Sequence, residues 1–153
     1  MPTHQETKHL PYTAQQMYDL VADVESYPQF LPWNAAARIR SREDCGDYDL
    51  LLADLVISFK VFREKFGSRV KLFDAERRID TEYLDGPFKY MKSWWVFREA
   101  QGKEGGCEVE FFVDFEFKNA ILQKVIGVVF NEAMHRIVRA FEKRAEALYG
   151  TAA

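Results

Sequence analysis

The chain has 153 residues, with 24 acidic and 21 basic side chains and a net charge of −3. That length suits one domain able to bury roughly 68–70% of its extended surface, and the charge excludes a uniformly basic nucleic-acid binder while leaving room for a local basic patch. Aromatic residues make up 15% of the sequence, more rings than such a core requires, so some are expected to line a cavity.

The first element is a strand over 3–10. Thr13 to Gln16 then fits a capping box, with Met17, Leu20, Val21 and Val24 following at helical spacing. Tyr27, Pro28, Phe30, Leu31, Pro32 and Trp33 make a compact turn segment that regular helix does not traverse. Strands are expected over 35–42, 48–59, 60–72, 77–84, 88–97 and 108–117, where apolar and polar residues alternate. In 48–59, Leu51, Ala53, Leu55, Ile57 and Phe59 share a face. In 60–72, Phe62, Phe66, Val70 and Leu72 face in, and Arg63, Lys65, Arg69 and Lys71 face out. In 108–117, Val109, Phe111, Val113, Phe115 and Phe117 form a wholly apolar face, opposite Glu108, Glu110, Asp114 and Glu116. Turns fall at Cys45-Gly46-Asp47, at Asp85-Gly86-Pro87 and over 102–106.

Asn119 is the expected N-cap and Gly150 the C′ residue of a closing helix near 30 residues, or about 45 Å. Its main stripe reads Leu122, Val125 or Ile126, Val129, Ala133, Ile137, Phe141, Ala145 and Leu148. The first half carries apolar residues on too many sides to face one sheet, and Gly127 there would admit a ligand or the turn segment at close range. The whole describes an α+β, helix-grip fold: about seven antiparallel strands in a curved sheet wrapped around the long C-terminal helix, with short helices after the first strand.

Cys45 and Cys107 lie far apart and belong to no CxxC or Cys/His cluster, so free thiols are expected and a structural zinc is not. No apolar h-region opens the chain and no run of about 18 apolar residues occurs, which leads us to expect a cytoplasmic protein, at most peripheral to an inner membrane.

Four stretches carry a resemblance that spans nearly the whole sequence. They are Val21-Ala22-Asp23-Val24-Glu25-Ser26-Tyr27-Pro28-Gln29-Phe30-Leu31-Pro32-Trp33; Asp85-Gly86-Pro87-Phe88-Lys89 with Trp95-Val96-Phe97; Val113-Asp114-Phe115-Glu116-Phe117-Lys118-Asn119; and Ala140-Phe141-Glu142-Lys143-Arg144-Ala145 up to Tyr149-Gly150. The chain resembles the coenzyme Q-binding, START-like family of the polyketide cyclase/dehydrase superfamily, whose bacterial members include ribosome association toxins. One departure is Asn34, where members commonly have Cys after the Trp, so no thiol role carries over. The resemblance implies a lipophilic ligand, typically ubiquinone, held between sheet and long helix in support of respiration, and no shared catalytic apparatus. No cofactor is expected beyond the bound quinone itself.

Strand phase and this implied fold nominate Leu55, Ile57, Phe66, Trp95, Phe111, Val113 and Phe115 from the sheet as cavity lining. Val129, Ala133 and Ile137 join them from the helix, and Phe30, Leu31 and Trp33 from the turn segment, as plug or mobile gate. Trp94 occupies the opposite phase to Trp95, so the register there is open. Arg38, Arg40 and Arg42 alternate on one strand and Arg63, Lys65, Arg69 and Lys71 on another. This basic stripe is a solvated face with cross-strand ion pairs, or else a surface for anionic headgroups or ribosomal RNA. His4, His9 and His135 have no motif-spaced partner, and no GxSxG, P-loop or dinucleotide fingerprint is present, so the chain is read as a non-enzyme. Its expected partners are a polyprenyl quinone and, alternatively, a ribosomal subunit, with DNA excluded; a cyclase-like enzyme is the weaker alternative.

Overall fold

A computed structural model describes residues 3–59, 62–100 and 106–150, without side chains at 59 and 62. Strand β1 (Thr3–Leu10) leads into helix α1 (Ala14–Ala22) and a 3-10 segment, Val24–Gln29. Six strands follow: β2 (Asn34–Asp44), β3 (Asp49–Phe59), β4 (Phe62–Phe73), β5 (Arg78–Asp85), β6 (Phe88–Glu99) and β7 (Cys107–Phe117). Helix α2 (Ala120–Tyr149) closes the chain. The sheet is antiparallel throughout, in the order β1-β7-β6-β5-β4-β3-β2. From β3 onward each strand pairs with its predecessor, while β1 sits at the far edge against β7. The chain therefore crosses from one sheet edge to the other through α1 and the 3-10 segment. This is the expected helix-grip fold. The expected turn over 102–106 falls mostly on 101–105, and the start of the 60–72 strand on 60–61, outside the described residues.

Local chemistry explains the helix ends. Thr13 Oγ1 accepts from the Gln16 backbone N–H, and the Gln16 side chain accepts in return from the Thr13 N–H, a complete capping box. Asn119 Oδ1 accepts from the N–H groups of Ile121 and Leu122. At the other end, Gly150 leaves α2 at φ 82°, the left-handed exit that favours glycine. Pro28 is absorbed inside the 3-10 segment, whose tight turn carries the chain toward β2.

The core lies between the concave sheet face and the two helices. Leu51, Ala53, Val70, Ile79, Phe97, Cys107 and Val109 are buried from the sheet, and Met17, Leu20, Val21, Phe130, Phe141 and Ala145 from the helices. The buried stripe of α2 runs through Phe130 and Met134, and Leu148, expected on it, is 51% exposed. At 3.6 residues per turn a straight stripe drifts round the helix over eight turns, and by its last turn Ala145, not Leu148, meets the core. Trp95 points in, and Trp94 points out, stacked on Phe112 at 5.5 Å beneath the Arg78 guanidinium.

Strand β2 departs from regular alternation twice. Its register against β3 shifts between Asn34 and Ala36 and again between Ile39 and Ser41. Each shift is a one-residue bulge, which turns all that lies beyond it to the opposite face.

Candidate functional site: an apolar cavity under the long helix

Between the concave sheet face and α2 lies a cavity of ≈ 270 Å³. Leu55, Ile57, Phe66, Trp95, Phe111, Val113 and Phe115 form its sheet wall, with Phe88, Met91 and Phe117. Helix α2 contributes Leu122, Ile126, Ala133, Met134, Ile137 and Phe141, and the segment before β2 contributes Tyr27, Leu31 and Trp33. The sheet residues come together because consecutive inward positions align rung by rung: Leu55 opposite Phe66, Trp95 opposite Phe111, Met91 opposite Phe115.

Two nominated residues stand elsewhere. Phe30 packs edge-on against Tyr27 and Phe141 at 6.1 and 5.3 Å, with the Arg144 guanidinium 5.2 Å from its ring, and so braces the plug from outside the cavity. Val129 is half-buried at the margin of the α2 stripe, which passes through Ile126 and Ala133 instead. Gly127 does not admit a close neighbour either: it is exposed, and a Cβ added there would meet nothing within 4 Å. The surplus apolar residues of this half-helix face outward, with Ile121 70% and Val128 83% exposed.

Four polar side chains interrupt the apolar lining: Asn34, Glu64, Thr81 and Ser93. Strand alternation alone could have placed Thr81 and Ser93, which are direct partners across β5 and β6. Glu64 is the inward residue opposite Ile57, is exposed, and marks where the cavity meets solvent. Asn34 lies opposite Ile57 from the other side, and its Oδ1 is buried without a hydrogen-bond partner. The Tyr27 hydroxyl is locked, donating to the Val21 carbonyl; burial of that hydroxyl and then the nearby Asp23 charge raise its pKa. The lining holds no nucleophile–base pair, and among the described residues no three His, Cys, Asp or Glu are grouped to hold a metal.

The basic side chains do not form one stripe. The second β2 bulge turns Arg42 onto the concave side, opposite Leu51, where it pairs with Asp49 at 2.7 Å. There it borders a wide depression also lined by Asp19, Asp23, Glu25, Asp44, Asp47, Asp49, Asp74 and Glu76. On the convex face Arg40 and Lys65 both contact Asp54, at 3.1 and 3.7 Å, and Arg69 and Lys71 share Glu82 at 3.6 and 3.9 Å. Arg38 and Arg63 are exposed and take no part in these pairs. The acids of β7 are engaged in the same way: Arg98 donates to Glu110 at 2.7 Å, which holds that carboxyl below its usual range, and Lys89 pairs with Glu116 at 3.0 Å. His4 shares the inward phase of β1 with Glu6, 3.3 Å away, and its ring is 6.5 Å from that of the exposed His135.

Residues 10–142 match the sequence profile of the family described as polyketide cyclase / dehydrase and lipid transport. The chain is 42% identical over 149 residues to the ribosome association toxin RatA of Rickettsia prowazekii, covering 95% of this chain and 97% of that one. It is 30% identical over 149 residues to the mitochondrial coenzyme Q-binding protein COQ10 homolog B of Xenopus laevis, covering 96% of this chain and 59% of the relative. The solution structure of an 18 kDa protein from Caulobacter crescentus superposes with a TM-score of 0.80 at 35% identity, covering 99% of this chain and 100% of that one. With an apolar cavity gripped between a curved seven-stranded sheet and its C-terminal helix, this chain belongs to the polyketide cyclase/dehydrase and lipid transport family, and its relatives there include RatA toxins and a COQ10 homolog.

Proposed function

We propose that the protein binds a polyprenyl quinone, of the ubiquinone type, in the cavity beneath α2 and carries it without transforming it. The observation that supports this reading is the cavity itself: ≈ 270 Å³, walled by aromatic and aliphatic side chains, with a few polar groups and no catalytic pair. An engineered cavity of about 150 Å³ takes a benzene ring, so this one suits a substituted ring and a short stretch of chain, a longer tail leaving by the opening at Glu64. Burying roughly 200 Å² of ligand surface at about 25 cal/mol per Å² yields about 5 kcal/mol before the costs of association. Affinity therefore needs no reactive residue. Organic extraction and mass spectrometry of protein purified from its native host should recover a quinone. A clean apo-protein that also fails to quench its tryptophan fluorescence with a short-chain quinone would end this reading.

The identity to the Rickettsia toxin favours a second reading, association with a ribosomal subunit. Its phosphate contacts would fall first to Arg38 and Arg63, since Arg40, Lys65, Arg69 and Lys71 are already paired with acids. Co-sedimentation with subunits, weakening steeply with salt, is its test.

A further inference from the structure

We propose that Asn34 reads the head group of the bound lipid, and that the head group it selects carries a hydroxyl: in a quinone couple, the reduced quinol rather than the oxidised ring. The inference rests on the cavity being the lipid site.

The first ground is how the side chain comes to face the cavity. Ala37 opposes Leu55 and Ala36 opposes Val56, so regular pairing would put Ala35 opposite Ile57 on the concave side and Asn34 on the convex one. The bulge skips Ala35 and sets Asn34 opposite Ile57. The preceding residue, Trp33, holds φ at 64°, a left-handed conformation unfavourable for a bulky side chain. Two backbone irregularities thus converge on one amide and aim it into an apolar chamber.

The second ground is what the amide finds there. Its Oδ1 is buried with no donor, an arrangement that costs the free protein stability and that native structures rarely keep without a use. Ile57 separates Asn34 from Glu64 on the same rung, two strand spacings apart, roughly 10 Å. Ionised Glu64 is acceptor-only, and so is the Asn34 oxygen. This end of the cavity therefore presents acceptors. A quinone has carbonyls, also acceptors, and leaves Oδ1 orphaned; a quinol donates an O–H to it. The hydroxyls of Thr81 and Ser93 donate or accept equally and do not discriminate. Turning the Asn34 amide over would present Nδ2 and reverse the preference, so redox selectivity decides between the orientations.

The test uses the whole protein, decyl-ubiquinone and its chemically reduced quinol under anaerobic conditions, with quenching of Trp33 and Trp95 as the readout. Wild type should bind the quinol about tenfold more tightly than the quinone. Asn34→Leu should abolish that preference by weakening quinol binding about tenfold, leave quinone affinity within about twofold, and raise the thermal midpoint of the ligand-free protein. Asn34→Asp, which keeps the acceptor, should retain the preference. A residue of purely structural use would instead lower the midpoint and move both affinities together. Equal affinities in wild type, a quinone preference, or an unchanged ratio in Asn34→Leu would each overturn the assignment. Binding of both forms with no selectivity would leave the lipid reading standing; binding of neither would remove it as well.

Discussion

At Gly67 a methyl group would land 2.8 Å from Arg40 Nη2 and 2.9 Å from Asp85 Oδ1. The bare backbone there leaves room for the Arg40 guanidinium that pairs with Asp54. Asp54 is only 12% exposed, so its two cations compensate a carboxylate drawn partly out of water. Reversing charge at Arg40 should accordingly cost about 1–3 kcal/mol in a urea titration, whereas the neutral truncation Arg38→Ala should stay within about 0.5 kcal/mol. The sequence pattern treats these two arginines alike; the pairing across β2, β3 and β4 separates them. Gly86 is constrained from the other side. It sits at φ 132°, and a Cβ would stand 2.6 Å from that of Phe66 and 2.8 Å from the Lys65 carbonyl, both unable to yield without moving the cavity wall. Gly86→Ala should lower stability by about 1–3 kcal/mol and weaken lipid retention at the same time, which chemical denaturation and quinone titration would both register. The two thiols also part company: Cys45 is exposed, while Cys107 is buried at 0% exposure, and burial followed by the nearby Glu99 charge pushes its thiol up to about 11. At pH 8 a thiol reagent should modify one cysteine per native chain and two after unfolding.

Among the elements, β3, β4 and β7 were readable from alternation because none of them carries the extra residue of a register shift, the added residues lying on β2, β5 and β6, so Leu55, Ile57, Phe66, Phe111, Val113 and Phe115 reach the cavity as their phase demands. Strand β2 was not. Arg38, Arg40 and Arg42 alternate in sequence, but the bulge adds Arg40 as an extra residue that no hydrophobic pattern announces, because it continues the very alternation that the bulge breaks. The same blindness hid the inward aim of Asn34, which depends on the extra residue before Ala36. In α2 the caps at Asn119 and Gly150 were legible from residue type, while the sequence did not say where the surplus apolar side chains of its first half go, and Ile121 and Val128 face outward. Ala133, 2% exposed on the cavity wall, offers the direct probe of that helix face. Ala133→Phe should fill the space and abolish quenching by a short-chain quinone at a stability cost of about 1–3 kcal/mol. Unchanged quinone affinity in a folded Ala133→Phe protein would place the ligand elsewhere.

Over the whole molecule, the alkaline limit of stability follows from groups that resist losing protons when folded. Burial, with Asp74 and Asp19 behind it, raises Tyr18 to about 12, Cys107 stands at about 11, and Tyr27 is raised too. Unfolded, these groups titrate near about 8.5 for the thiol and about 10 for the phenols. Their contribution is therefore complete below pH about 8.5 and declines as pH rises through 9 to 12, where the unfolded chain binds fewer protons than the native one. The denaturation midpoint should be insensitive to these groups from pH 6 to 8 and fall progressively above 9. A midpoint that rose across that range would contradict the burial of these hydroxyls and the thiol.

The edge-to-edge crossing through α1 has a consequence in time as well as in space. Thr3 pairs with Asp114 and Leu10 with Cys107, so the strand made first finds its partner about a hundred residues later. At roughly 5–20 residues per second of synthesis, β1 waits about 5–20 seconds after its emergence before β7 exists. The meander from β2 to β7 is free to assemble during that interval by local hairpins, and the long loop between β1 and β7 closes last, in the slow regime set by non-local pairing. Until it does, β7 is a bare edge carrying Phe111, Val113 and Phe115, the very residues that later wall the cavity. The chamber thus comes into being only when the early strand β1 meets the late strand β7.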